Sequence, residues 1–192
     1  MAVDAGGVTL FFLACRLVDD PDDGLCPTWS GLDGVGRGWA YERFSVNEQE
    51  ILEITAIEGD EVSVTGNYWV DTYTCDDDGA WLVSRHEDDG DTVARTTYDP
   101  PALVMPRRLA VGEAWTAEWT SRRVDDAGAD EIRSVSIQFE VLREADTWVP
   151  AGSWPTLEIG LRRDDGTTDV QYWARDVGLV LAEDVQLWKF AE

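Results

Sequence analysis

Leu157-Glu158-Ile159-Gly160-Leu161-Arg162, then Asp164-Asp165-Gly166, then Val170-Gln171-Tyr172-Trp173 is the stretch that decides how this chain folds. Apolar residues at 157, 159 and 161 alternate with polar or small ones, the period of a half-buried strand. Asp tolerates left-handed backbone angles and bonds its own backbone, and Gly supplies positive φ without steric cost. Asp-Gly between two such runs therefore marks a hairpin. The triplet recurs at Asp22-Asp23-Gly24, Asp77-Asp78-Gly79 and Asp88-Asp89-Gly90.

Outward from this hairpin the same alternation continues. Val135, Ile137, Phe139 and Val141 form the cleanest strand, preceded by Trp115, Ala117 and Trp119. Further upstream come Trp39 with Tyr41, then Leu52, Ile54 and Ala56, then one run from Val62 through Tyr68 to Val70. Trp81 to Ser84 and Thr92 to Tyr98 follow, and a last strand spans about Leu179 to Phe190. Asp99-Pro100-Pro101 is expected to break pairing, because proline lacks the donor a ladder needs. The segment after it, Ala102 to Met105, suits a crossing strand or a short helical turn. No long helical period with caps occurs, so at most one or two short helices are expected. The fold expected is all-β: a large curled antiparallel sheet, a half-barrel, with an acidic rim at its hairpin tips. It forms a single domain over 36–192, with 1–35 as leader and acidic tether.

Length agrees, since 192 residues can bury one sizeable β core. Lys and Arg number 15 against 39 Asp and Glu, a net charge of −24 that repels phosphate backbones and anionic lipid heads and so excludes nucleic acid as a partner. Lys189 is the single lysine among the cations. Salt adaptation and a GC-rich genome both account for that bias. The chain is expected to be a monomer.

Val8-Thr9-Leu10-Phe11-Phe12-Leu13-Ala14 ends at Cys15, the pattern of a bacterial lipoprotein signal whose cysteine carries lipid. Asp4 stands where such signals carry positive charge, and the run is short for one. An ordinary first strand burying Leu10, Phe12 and Ala14 is the other reading. On the first reading Cys15 is the lipid attachment site and membrane anchor. The protein is then exported, periplasmic or outer-membrane-anchored. Cys26 and Cys75 remain as an even pair, a candidate disulfide in an oxidising compartment or else two unrelated thiols.

Val149-Pro150-Ala151-Gly152-Ser153-Trp154, the following Leu157-Glu158-Ile159, and Tyr172-Trp173-Ala174-Arg175-Asp176-Val177-Gly178-Leu179-Val180 carry a more specific pattern. So do Tyr98-Asp99-Pro100-Pro101, Met105-Pro106 and Val111-Gly112-Glu113-Ala114-Trp115. From Trp39 to the end, these pieces resemble a group of uncharacterised bacterial exported proteins and lipoproteins. The resemblance implies an antiparallel half-barrel similar to the lipoprotein-carrier (LolA-type) proteins, with an apolar concave face. It implies no catalytic residues. Locally, Pro150 and Gly152 make Val149 to Ser153 a rigid corner.

For chemistry the sequence offers little. His86 stands beside Arg85, Glu87 and Asp88 with no serine or cysteine in a nucleophile elbow, so a solvated strand end is the reading it supports. The acidic clusters do not match a calcium-loop register, and Cys and His spacing builds no zinc site, so no metal or cofactor is expected. An acidic hydrolase remains the weaker functional alternative. The ten tryptophans are the one functional population; Trp39, Trp69, Trp81, Trp115, Trp119 and Trp173 lie in strands and line a pocket or fill a core. Trp115, Trp119, Phe139, Ile159 and Tyr172, with Ile137 and Leu157, are expected together on the concave side as a site for an apolar ligand or lipid. The functional expectation is a non-enzymatic envelope protein binding an apolar molecule or another envelope component there, with a structural module of filled interior as the alternative.

Overall fold

The computed structural model describes residues 24–191. Cys15 and the apolar run before it lie outside the described residues. Within them, one 3-10 turn (Thr28–Ser30) precedes twelve strands. These are β1 (Gly38–Arg43), β2 (Glu48–Glu58), β3 (Glu61–Thr65), β4 (Trp69–Cys75), β5 (Gly79–Asp88) and β6 (Val93–Pro106). β7 (Ala114–Asp125), β8 (Asp130–Val149), β9 (Gly152–Arg163), β10 (Thr168–Ala174), β11 (Gly178–Leu181) and β12 (Val185–Ala191) follow. The expected all-β antiparallel sheet is therefore present, and it curls until it closes. Sequence neighbours pair throughout, and β1 pairs β12 with Trp39 opposite Phe190. Twist accumulated over many long strands brings the two edges together, and closure leaves neither exposed.

The ring is thinnest at one seam, where β11 and β12 share the single pair Leu181–Gln186. The β8–β9 hairpin makes good the gap. A bulge between Val141 and Arg143 bends β8, and the tip at Pro150-Ala151 reaches β12, where the Ala151 N–H donates to the Leu187 carbonyl at 3.2 Å.

Three local expectations change. The run from Val62 to Val70 is cut into β3 and β4 by a turn at 66–68, and the last strand is cut at 182–184. The proline pair does not end β6; it ends pairing with β7, whose ladder stops at Asp99–Thr120. On the other side β5 skips from Ser84–Thr97 to Leu82–Ala102. The prolines thus sit where no donor is asked of them.

In a closed meander alternate turns share an end. Turns after β1, β3, β5, β7, β9 and β11 form one rim, which carries Asp89 and Asp91, Asp126, Asp164 and Asp165, and Glu183 and Asp184. The Asp77-Asp78-Gly79 turn belongs to the opposite end. That end is crossed by the segment from 24 to 36, so the tether expected over 1–35 does not extend through its described part. Cys26 is 2% exposed and Leu32 7%, and both belong to the core. Cys26 is disulfide-bonded to Cys75 at the end of β4. Arg107 donates to the Gly24 and Leu25 carbonyls at 3.1 and 2.7 Å, and the Asp176 N–H donates to Thr28 at 2.8 Å. Gly31 (φ 71°) lies so close to β10–β11 that a Cβ there would stand 2.5 Å from the Val177 carbonyl oxygen. The barrel is capped at one end by its own N-terminal segment.

Candidate functional site

Beneath the cap, in the part of the barrel formed by β1–β4, β6 and β10–β12, a cavity of about 230 Å³ remains between the side chains. Ser30 and Leu32 of the cap line it with Val177. Trp39 and Tyr41 of β1, Tyr73 of β4 and Trp173 of β10 supply aromatic walls, completed by Leu52, Val64, Leu179 and, from β6, Val104. Glu50, Trp69 and Val185 line it at strand ends on the acidic rim.

The rings are held by hydrogen bonds that the seam makes available. Trp39 Nε1 donates to the Val177 carbonyl at 2.6 Å, and the Tyr41 hydroxyl donates to the Leu179 carbonyl at 2.8 Å. Leu179 has no β12 partner, so a side chain takes its carbonyl. Trp69 Nε1 donates to Glu50 Oε1 at 2.9 Å, and its indole covers Gly66, where any Cβ would collide with it. The Arg85 guanidinium stacks on Trp69, 4.4 Å from the ring centroid, and grips Asp71 with two bonds of 2.7 and 2.8 Å. Asp71 is 1% exposed and also accepts from the Tyr73 hydroxyl at 3.1 Å. Each of these polar groups therefore has a partner, as buried polar groups require.

Titration behaviour follows from that packing. Burial, then the Asp71 charge, pushes the Tyr73 phenol well above the usual tyrosine value. Burial, then Glu50, does the same to Tyr41. The hydrogen bonds and charge of Asp71 hold the Arg85 guanidinium firmly protonated. The cavity's tyrosines are neutral hydrogen-bond donors across the physiological range.

The residues singled out in the sequence divide between two places. Trp115, Phe139 and Ile159 lie together, with Ile137 and Leu157, in a second cluster around Val141 and Leu161. Trp115 stacks on Phe139, centroids 4.8 Å apart and planes 4° from parallel. These side chains form a packed apolar cluster of their own, in which the buried Trp115 Nε1 has no hydrogen-bond partner. Trp119 shares their inward face by alternation, two positions beyond Ala117, and is half-buried outside the cluster. Tyr172 requires correction. It pairs with Glu158, whereas Trp173 pairs with the core residue Leu157, so Tyr172 faces outward and Trp173 inward. Outside, it adjoins the Arg143–Glu158 ion pair (2.7 Å) and bonds the Arg143 guanidinium.

His86 is exposed on β5, between Val70 and Arg95. Among the described residues no group of three or more His, Cys, Asp or Glu side chains is arranged to hold a metal ion. Reading the sequence missed Tyr41, Glu50, Asp71 and Tyr73. The signal was Trp39-x-Tyr41 and Trp69-x-Asp71-x-Tyr73, inward stripes at period two with one acid set among rings. Comparison with protein-family models, with characterised proteins and with solved structures gives no match.

Proposed function

We propose that this protein is a non-enzymatic binding protein of the bacterial envelope that holds an apolar small molecule in the aromatic cavity. The observation that carries this reading is the cavity itself: about 230 Å³ of space walled by rings and aliphatic side chains. Unfilled apolar space forfeits contacts that packing would supply, and proteins retain it where a ligand supplies them instead. Export is supported by the Cys26–Cys75 disulfide, which persists in an oxidising compartment, and by the lipoprotein-like run ending at Cys15. The resemblance to exported half-barrel carriers points the same way. On this reading the protein is a monomer tethered to the membrane through Cys15.

Titration with tert-butylbenzene, followed by tryptophan fluorescence, tests it. Saturable quenching is expected, and Val104→Phe, which fills the cavity from β6, is expected to abolish it while leaving the melting temperature equal or raised. Absence of saturable binding to the natural chain would overturn the reading. In that case the protein is a structural module. Metabolic labelling with a fatty acid, lost in Cys15→Ser, tests the anchor.

A further inference from the structure

We propose that the ligand of this cavity is a small organic cation, an ammonium group carried on an apolar body. The inference rests on the binding reading above and names its ligand class. Three observations converge on it. The walls are rings, whose faces carry negative quadrupole potential and attract a desolvated cation. Their orientation is fixed in advance by the bonds from Trp39 to Val177 and from Tyr41 to Leu179, so little ordering remains to be done on binding.

Second, among the described residues the one charged side chain lining the cavity is a carboxylate, Glu50, whose side chain is 22% exposed. Arg43, 3.8 Å from Glu50, is shared with Asp184 at the same distance, and Arg85 is consumed by Asp71. Glu50 therefore shares its guanidinium neighbour with Asp184, and among the described residues no Arg or Lys side chain lines the cavity. An anion such as a fatty-acid carboxylate would meet that charge with nothing to pair it.

Third, these rings already hold a cation of the protein's own. Arg85 lies over the Trp69 ring, 4.4 Å from its centroid, with Asp71 as its counter-ion. Glu50, opposite Tyr41 in the β1–β2 ladder, accepts from Trp69 Nε1, which repeats the pairing of ring and carboxylate at a wall that no Arg or Lys among the described residues lines. The rim at which Glu50 and Trp69 stand carries Asp89, Asp91, Asp164, Asp165 and Asp184 on a chain of net charge −24, a field that concentrates cations and repels anions at that end of the barrel.

An isosteric pair of probes decides the matter: phenyltrimethylammonium and tert-butylbenzene, which differ by nitrogen for carbon. The cation is expected to bind about tenfold more tightly at low salt. Glu50→Gln keeps an oxygen to accept from Trp69 Nε1 and should erase that preference, read as the ratio of the two affinities in the same variant. Added salt should weaken the cation alone. Equal or tighter binding of tert-butylbenzene, or an undiminished preference in Glu50→Gln, overturns the cation assignment and leaves the cavity a neutral-ligand site. If neither probe binds the natural chain, the binding reading fails with it.

Discussion

Removing the Cys26–Cys75 bridge should cost this barrel a large share of its stability. The bond closes a loop of 49 residues in sequence separation, from the cap to the end of β4, and encloses β1, β2, β3 and β4. In the chain-entropy treatment a loop of that length withholds about 4 kcal/mol of freedom from the unfolded chain. Domains of this kind have only about 5–15 kcal/mol in total. At about 2–4 °C per kcal/mol for a chain of this size, the double variant Cys26→Ala, Cys75→Ala should melt roughly 8–16 °C lower. A local effect adds to the global one. Without the bridge, the segment from 24 to 32 is held mainly by Arg107, by the Asp176–Thr28 bond and by burial of Leu32. Amide exchange at Asp176 and Gly178 should therefore quicken more than exchange in β8 and β9. Calorimetry and urea unfolding of both forms give the first quantity, and native-state hydrogen exchange gives the second. A fall of less than about 3 °C, or uniform quickening of exchange, would refute the reasoning, because the cap would then be held without its covalent clamp.

Asp71→Ala should destabilise by about 3–5 kcal/mol in urea unfolding, since it leaves Arg85 and the Tyr73 hydroxyl without their partner; pairing it with Arg85→Met should restore much of the loss. Gly31→Ala should cost at least about 1–3 kcal/mol, because residue 31 has φ 71° and its new methyl would press on the Val177 carbonyl. Tyr41 and Tyr73 have folded-state values raised above the ordinary 10.0, so both contribute stability that is complete below that pH. That stability declines as pH rises beyond it, where the unfolded chain ionises first. A stability curve flat through pH 10–12, or one unaltered by Tyr41→Phe, would contradict this. With a net charge of −24, the melting temperature should rise between about 0.05 and 0.5 M sodium chloride as self-repulsion is screened.

Local chemistry alone determined the strands. Period-two patterning placed Val135–Val141, Leu157–Leu161 and Trp115–Trp119 in neighbouring strands. The Asp-Asp-Gly turns at 88–90 and 164–166 sit between paired strands because their acids accept backbone N–H groups, as Asp89 Oδ1 does from Asp91 and Thr92. These are short-range effects, complete within a few residues, so the sequence displays them. The boundaries that failed, at 66–68 and 182–184, are turns with weaker local signatures.

What only the tertiary structure decided depends on pairings between residues far apart in the chain. Closure needs β1 to meet β12, about 150 residues away, and no local pattern distinguishes a sheet that closes from one that merely curls. The cap reads as an acidic tether until Cys26, Leu32 and Gly31 are seen against Cys75, the core and Val177. The site moved for the same reason. Tyr172 and Trp173 are equally aromatic neighbours, and only pairing with Glu158 and Leu157 assigns one to solvent and the other to the cavity. Trp39, Tyr41, Trp69 and Tyr73 acquire a common cavity because closure brings β10 and β11 within reach of β1–β4. An inward aromatic reads the same in sequence whether neighbours fill the space before it or leave it empty.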